Sequence, residues 1–247
     1  MLNPFVRKLT ALGRLSDADQ VQLADAIGPT RQIAARTDVI HEGDDPRVVN
    51  IVLDGWACRY RQLADGRRQI VSLLLPGDPC DPHIFLLDRM DHAIGALTPV
   101  TLVQIPGAAL QELTARRPAL DDALHREALA SAAIQREWTV SLGCRSGAER
   151  LAHLFCELHA RLTAVGLADG ASCPMPITQI DLAEAMGQTS VHINRTLQEL
   201  RSAGLITLRG RQLTLHDPDG LAQLAHFDPA YLHLTPDAHR PGAAPRG

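Results

Sequence analysis

Between Thr189 and Arg201 the chain carries side chains of the kind that read hydrogen-bonding edges: Val191, His192, Asn194, Arg195 and Gln198. A guanidinium can bridge the O6 and N7 acceptors of guanine. A carboxamide suits the donor–acceptor pair of adenine, and a small apolar group suits the thymine methyl. Wound at about 3.6 residues per turn, these residues share one side of a helix. Ile193, Leu197 and Leu200 fall on the other, at i, i+4 and i+7. The outward side has few of the Lys/Glu pairs that solvate a surface helix. Hydroxyls at Thr189 and Ser190 stand where a helix N-terminus receives phosphate. Arg201, Arg209 and Arg211 follow as candidates for further phosphate contacts. The partner that such a face fits is double-stranded DNA, entered through a major groove about 12 Å wide.

The flanking sequence supplies what must hold that helix in place. Thr178, with Asp181 three residues on, has the form of a helix start, and QIDLAEAM continues it. Gly187 gives the turn a residue that tolerates φ > 0, and Thr189 is the expected N-cap of the next helix. AGLITLRGRQLTLHD alternates about Arg209-Gly210-Arg211 as a hairpin. Helix, tight turn, helix and hairpin spell a winged helix-turn-helix.

Upstream, from about 30 to 105, short apolar runs are punctuated by Asp54-Gly55, Asp65-Gly66 and Pro76-Gly77, the pattern of a β-sandwich or barrel. Residues 5 to 27 read as helix. Its second segment starts at Ser16-Asp17-Ala18-Asp19, with Val21, Leu23 or Ala24, and Ile27 facing inward. A short helix spans 107 to 116. Pro118 opens a long one to about Leu142, whose Leu120, Leu124, Ala128, Ser131, Gln135, Trp138 and Leu142 approach a heptad seam. Residues 143 to 147 break it, and Ser146 with Glu149 caps a helix reaching about Val165. The fold class is α+β. It divides into a β-domain over 1–117, a connecting and dimerisation helix over 118–145, and a winged helix-turn-helix over 146–234. A tail rich in Pro, Gly and Ala over 235–247 is expected to be disordered.

Formal net charge is −4, so any nucleic-acid contact must come from a local basic surface. Five cysteines, at 58, 80, 144, 156 and 173, form no CxxC pair, which argues against a disulfide framework or structural zinc and for a reducing cytoplasm. The first 27 residues read as amphipathic helix rather than secretory leader, and no apolar run approaches the ~18 residues of a membrane span. Aromatic residues, at 3%, are too few for a base-stacking platform. GxSxG, HExxH, a P-loop and an HxH pair are all absent, so no enzyme chemistry is indicated. His153, Cys156 and His159 share a helix, but the outer two project about 120° apart and read as flank residues rather than ligands of one ion.

The order of these parts, with EGD at 42–44, LDG at 53–55, PGD at 76–78 and ITQIDLAEAMGQTSVHINRTLQELRSAGLI at 177–206, resembles the CRP/FNR family of bacterial transcription regulators over roughly residues 10 to 225. The resemblance implies a jelly-roll sensor like a cyclic-nucleotide-binding domain and a homodimer joined through 118–142. It also implies Arg195 on the DNA and contact with RNA polymerase if the protein is an activator. The acidic residue that family members place four positions before that arginine is here Val191, which implies a different half-site. Family members that bind cyclic nucleotides hold the ribose with Gly-Glu and the phosphate with Arg-Ser or Arg-Thr. Those places read Asp81-Pro82 and about Asp91-His92, so cyclic AMP is not expected to bind. Candidate effector-pocket residues are Cys80, Asp81, His83, Arg89, Asp91 and His92, with neither effector nor cofactor identified. The first cysteine is Cys58, which disfavours an iron–sulfur cluster. One alternative is a gas or redox sensor holding haem or a metal through Cys80 and His83; a more distant one is a sensor with a non-DNA output.

Overall fold

The computed structural model describes residues 3–13 and 15–234, so the tail expected to be disordered lies outside the described residues. Helices α1 (Pro4–Gly13) and α2 (Asp17–Ala26) lead into β1 (Thr30–Ile33), β2 (Asp38–Ile40), β3 (Val48–Asp54), β4 (Ala57–Gln62), β5 (Arg68–Leu74) and β6 (Pro79–Cys80). A 3-10 turn at Ile84–Leu86 precedes β7 (Ala93–Ala96) and β8 (Val100–Pro106). Then come α3 (Gly107–Arg116), α4 (Pro118–Cys144), α5 (Gly147–Ala164), β9 (Ser172–Pro174), α6 (Gln179–Met186) and α7 (Ser190–Ser202). The chain continues with β10 (Ile206–Arg209), β11 (Gln212–Leu215) and α8 (Pro218–Ala225), and a last 3-10 turn spans Pro229–Leu232.

The strands at 30–106 form two antiparallel sheets, ordered β1-β8-β3-β6 and β2-β7-β4-β5. Side-chain alternation assigns their faces. Ile33, Val52, Ala57, Leu74, Ile94 and Leu102 meet between the sheets. Val49, Ile51, Val103 and Ile105 cover the outer face of the first sheet against α1, α3 and α4. Cys58, Ile70 and Leu73, on the outer face of the second, join the core of the C-terminal domain. The layers therefore run helices, sheet, sheet, winged helix-turn-helix.

The Ser16 and Ser146 capping boxes form as their spacing indicates. Val21 does not face inward; it is 57% exposed, because α2 docks through Leu23, most of half a turn away around the helix. Helix α4 runs on to Cys144, leaving only Arg145 and Ser146 as the break. Leu120, Leu124 and Trp138 of the expected seam are buried within their own chain, while Leu129 (64% exposed) and Val140 remain outside. His153 and Cys156 are core residues, not flank residues.

An ionic network fastens the modules. Lys8 Nζ lies 2.6 Å from Asp78 and 2.7 Å from Glu127; Arg161 lies 2.7 Å from Asp78 and 3.1 Å from Glu157. Trp138 Nε1 and the Tyr231 hydroxyl donate to Glu157 at 3.1 and 2.9 Å. Burial works against charge on Asp78, but Lys8 and Arg161 outweigh it and hold its carboxyl down at about 2; burial pushes Glu157 up.

His153 stacks on Tyr231 at 5.8 Å and meets the edge of Phe227 at 5.2 Å. Burial, helped by Arg145, lowers it from 6.5 to about 4. As pH falls, the unfolded chain takes up this proton before the folded one, so the contribution is complete above the unfolded value and is lost on acidification. Between pH 6.5 and 4 the wild type should lose stability relative to His153→Gln, with a slope difference of at most about 1.4 kcal/mol per pH unit. Parallel melting-temperature profiles for the two proteins would contradict this.

Candidate nucleic-acid interface and sensor cavity

Helix α6 starts on a reciprocal cap in which Thr178 Oγ1 accepts from Asp181 N–H and the Asp181 carboxylate accepts from Thr178 N–H. It ends at Gly187, whose φ of 61° is left-handed and which approaches Leu142 so closely that a Cβ would press on it at 3.3 Å. Thr189 caps α7 through His192 N–H. Ile193, Leu197 and Leu200 are buried together with Leu182, Ala183 and Met186 of α6, and that packing decides what points out. Ser190, Val191, His192, Asn194, Arg195 and Gln198 are all exposed, Val191 by 79%.

Arg195 rests between His192, 3.4 Å away, and Glu199, 3.7 Å away, with two-thirds of its side chain in solvent. Neither contact is strong enough to hold it back from a base. Asn194 donates to Gln179 Oε1 at 3.2 Å, a bond to the first helix that its position within α7 did not reveal. Gly210 and Arg211, with φ of 62° and 63°, make the two-residue wing turn, which presents Arg209 and Arg211 to solvent. Arg201 is placed differently: its guanidinium donates to Leu208 O at 3.0 Å, tying the end of α7 to the wing. Two elements escaped the sequence reading. One is β9, which adds a third strand beside β11; the other is α8, which packs on α5. Strand β9 has only three residues and shows no periodicity.

A cleft of about 650 Å³ lies between the β-roll and α4, walled by Arg59, Arg61 and Val71, by the 81–92 segment, and by Ala128, Ser131, Ala132 and Gln135. Asp81, His83, Asp91 and His92 all line it. Cys80 and Arg89 do not. Cys80 is buried in the core between the sheets, where burial pushes its thiol far up, and Arg89 is exposed outside the cleft. The donors considered for haem or a metal, Cys80 and His83, thus face different surroundings. Among the described residues no group of three or more His, Cys, Asp or Glu side chains is arranged to hold a metal ion.

The sequence reading missed the guanidinium in this cleft. Arg59 reaches in from β4 and meets both Asp81 carboxylate oxygens, at 2.9 and 3.0 Å. His92 approaches Asp81 at 3.0 Å and Asp91 at 2.7 Å. Burial disfavours charge on both partners, yet the ion pairs prevail, so Asp81 is held below the usual carboxylate range and His92 above that of free imidazole. Alternation along β4 sets Arg59 and Arg61 on one face, but nothing local to that strand shows that a carboxylate from beyond β6 arrives there. The Arg59 guanidinium is thus already paired with the protein's own carboxylate.

Two family descriptions match: the cyclic nucleotide-binding domain over residues 30–117 and the Crp-like helix-turn-helix domain over 149–224. The nitrogen fixation regulation protein FixK of Bradyrhizobium diazoefficiens is 30% identical over 85% of this chain and 87% of its own length. The transcriptional activator protein FnrL of Cereibacter sphaeroides is 26% identical over 79% of each chain. FixK2 from Bradyrhizobium japonicum superposes with a TM-score of 0.70 at 22% identity, covering 79% of this chain and 96% of that one, a likeness of fold. No helix among the described residues is long and apolar enough to cross a membrane.

Proposed function

Because the chain belongs to the CRP/FNR family of transcription regulators, we propose that it acts as a homodimer on an inverted-repeat operator, under the control of an effector other than cyclic AMP. The observation that carries this reading is the exposed amide-and-guanidinium face of α7 with its apolar face buried beside a basic wing. The free stripe of α4, with Leu129, Ala132 and Val140 spaced by three and eight, is the surface a second copy would cover. A two-fold axis along it would set two recognition helices in successive major grooves about 34 Å apart. The site of action is then the cytoplasm, with RNA polymerase as a further partner where the operator supports activation. The cleft at Arg59 and His92 is the effector site in this reading.

Selection of bound DNA from a random pool, with and without cell extract, tests the reading: an inverted repeat should emerge, and its absence would remove it. Arg209→Ala should weaken binding to all sequences alike and lower the steepness of the salt dependence by about 1 in the logarithmic plot. A loss confined to one sequence would take Arg209 off the phosphates. Titration with cyclic AMP in a calorimeter should give no saturable heat; micromolar binding lost on substitution within 81–92 would contradict the effector assignment.

A further inference from the structure

The ribbon β4–β5 has two faces with different duties. Arg59, Arg61 and Val71 point into the cleft. Cys58, Ile70 and Leu73 point the other way, into one buried cluster with Leu182, Ala183 and Ala185 of α6. The sheet is one residue thick, so the wall of the cleft is also the seat of the first helix of the helix-turn-helix.

Polar contacts surround that seat. Arg36 makes a two-pronged pair with Asp181, at 2.5 and 2.9 Å, and Asp181 is fully buried. Arg36 itself sits at φ 64°, an uncommon conformation for a side chain with a Cβ, held by its N–H on Ala96 O at 2.8 Å. Arg68 stacks on Tyr60 at 3.9 Å and pairs with Glu184 at 2.6 Å. Gln69 donates to Ala185 O at 3.2 Å. Each of these joins the sensor to α6 without involving α4. The long helix has its own tie to the same domain, through Arg150, which donates to Ser141 O, Leu142 O and Met186 O.

We propose that the sensor grips the helix-turn-helix directly, through Arg36–Asp181 and Arg68–Glu184 over the apolar seat, so that a displacement of β4–β5 at the cleft reorients the recognition helix without passing through α4. The clasp holds the back of α6 while the outer face of α7 stays exposed, so the clasped pose is the one that presents the DNA face. Breaking it lets the domain sample other poses and dilutes the competent one. This deepens the regulatory reading above and rests on it for the role of the cleft, though not for the clasp itself.

The test is a charge swap in the full-length chain. Spin labels at residues 64 and 202, in a Cys144→Ser background and diluted with unlabelled chain, report the distance between the ribbon tip and the end of α7. The unsubstituted clasp should give a narrow distribution. Arg68→Glu and Glu184→Arg alone should each broaden it and lower affinity for the selected operator about tenfold. Glu184→Arg adds positive charge, so its loss of affinity cannot be a loss of attraction to phosphate. The double variant Arg68→Glu/Glu184→Arg keeps the net charge and should recover both readouts substantially relative to Arg68→Glu alone. Arg36→Ala, which leaves the Asp181 cap intact, should also broaden the distribution. Distances that stay narrow in every variant, or a double variant that merely adds the two defects, would overturn the clasp. If no operator is selected at all, the regulatory reading fails, while the distances still decide the clasp.

Discussion

Arg195→Ala is expected to weaken binding to the selected operator by about 1 to 3 kcal/mol, roughly 5- to 150-fold, and to relax the base preference at one position of each half-site. The size follows from what a guanidinium does on a guanine edge: two parallel hydrogen bonds whose acceptors would otherwise stay unsatisfied in a dehydrated groove. In the free chain little competes for this group. Its contacts with His192 and Glu199 are long, and most of the side chain is already in solvent. The substitution removes no core contact, so the melting temperature should hold. Repeating the selection with the variant separates reading from clamping. A degenerate position in the new consensus marks base readout, and a uniform loss marks a phosphate contact. Unchanged affinity would mean that the DNA-facing side of α7 has been misassigned.

Arg161→Ala should be the most destabilising of the substitutions considered. The guanidinium is nearly enclosed and stands between two buried carboxylates, with a further bond to Leu73 O at 2.9 Å. Removing it leaves Glu157 with only the neutral donors Trp138 and Tyr231, and Asp78 with Lys8 alone among cations. Breaking a buried pair on one side costs about 3 to 5 kcal/mol, because the orphaned charge stays desolvated. For a chain of this size that is a fall of about 6 to 20 °C in melting temperature. Glu157→Gln should cost less, since a neutral amide needs no counter-ion. A melting temperature for Arg161→Ala within 2 °C of the wild type, on the order of the smallest resolvable effect, would show that the network adds nothing to the joint. Because the network links α1, β5, α4, α5 and the last 3-10 turn, its loss should also loosen one module against another.

The exposed polar side of α7 was legible in the sequence because it depends on local rules. Helical period assigns Ile193, Leu197 and Leu200 to one face and Val191, Arg195 and Gln198 to the other, and Thr178, Gly187 and Thr189 mark the ends by cap and turn chemistry. The β4–β5 hairpin about Asp65-Gly66 was legible for the same reason, whereas Asp54-Gly55 carries the chain from one sheet to the other and closes no hairpin, since β3 pairs with β6 and β8 and β4 with β5 and β7. The cleft between the β-roll and α4 was only half visible. Asp81 and His92 were singled out as departures from a motif, but their pairing, and the arrival of Arg59 between them, depend on which loop folds over which strand. The α4 seam was misjudged in a related way. A regular spacing shows that a face is apolar, not whether its own chain or a second copy covers it, and here Leu120, Leu124 and Trp138 are covered from within.

By itself, then, the order of residues determined most of the elements, several of their ends, and the two faces of α7, since each follows from interactions a few positions apart. Only the tertiary structure decided that Arg36 and Asp181, 145 positions apart, would meet, that Asp81 would occupy Arg59, and that one strand pair would serve two domains. Such contacts depend on the free energy of the whole packing: a buried charge settles wherever the fold brings it a partner, and nothing within a turn of helix or a hairpin encodes that address.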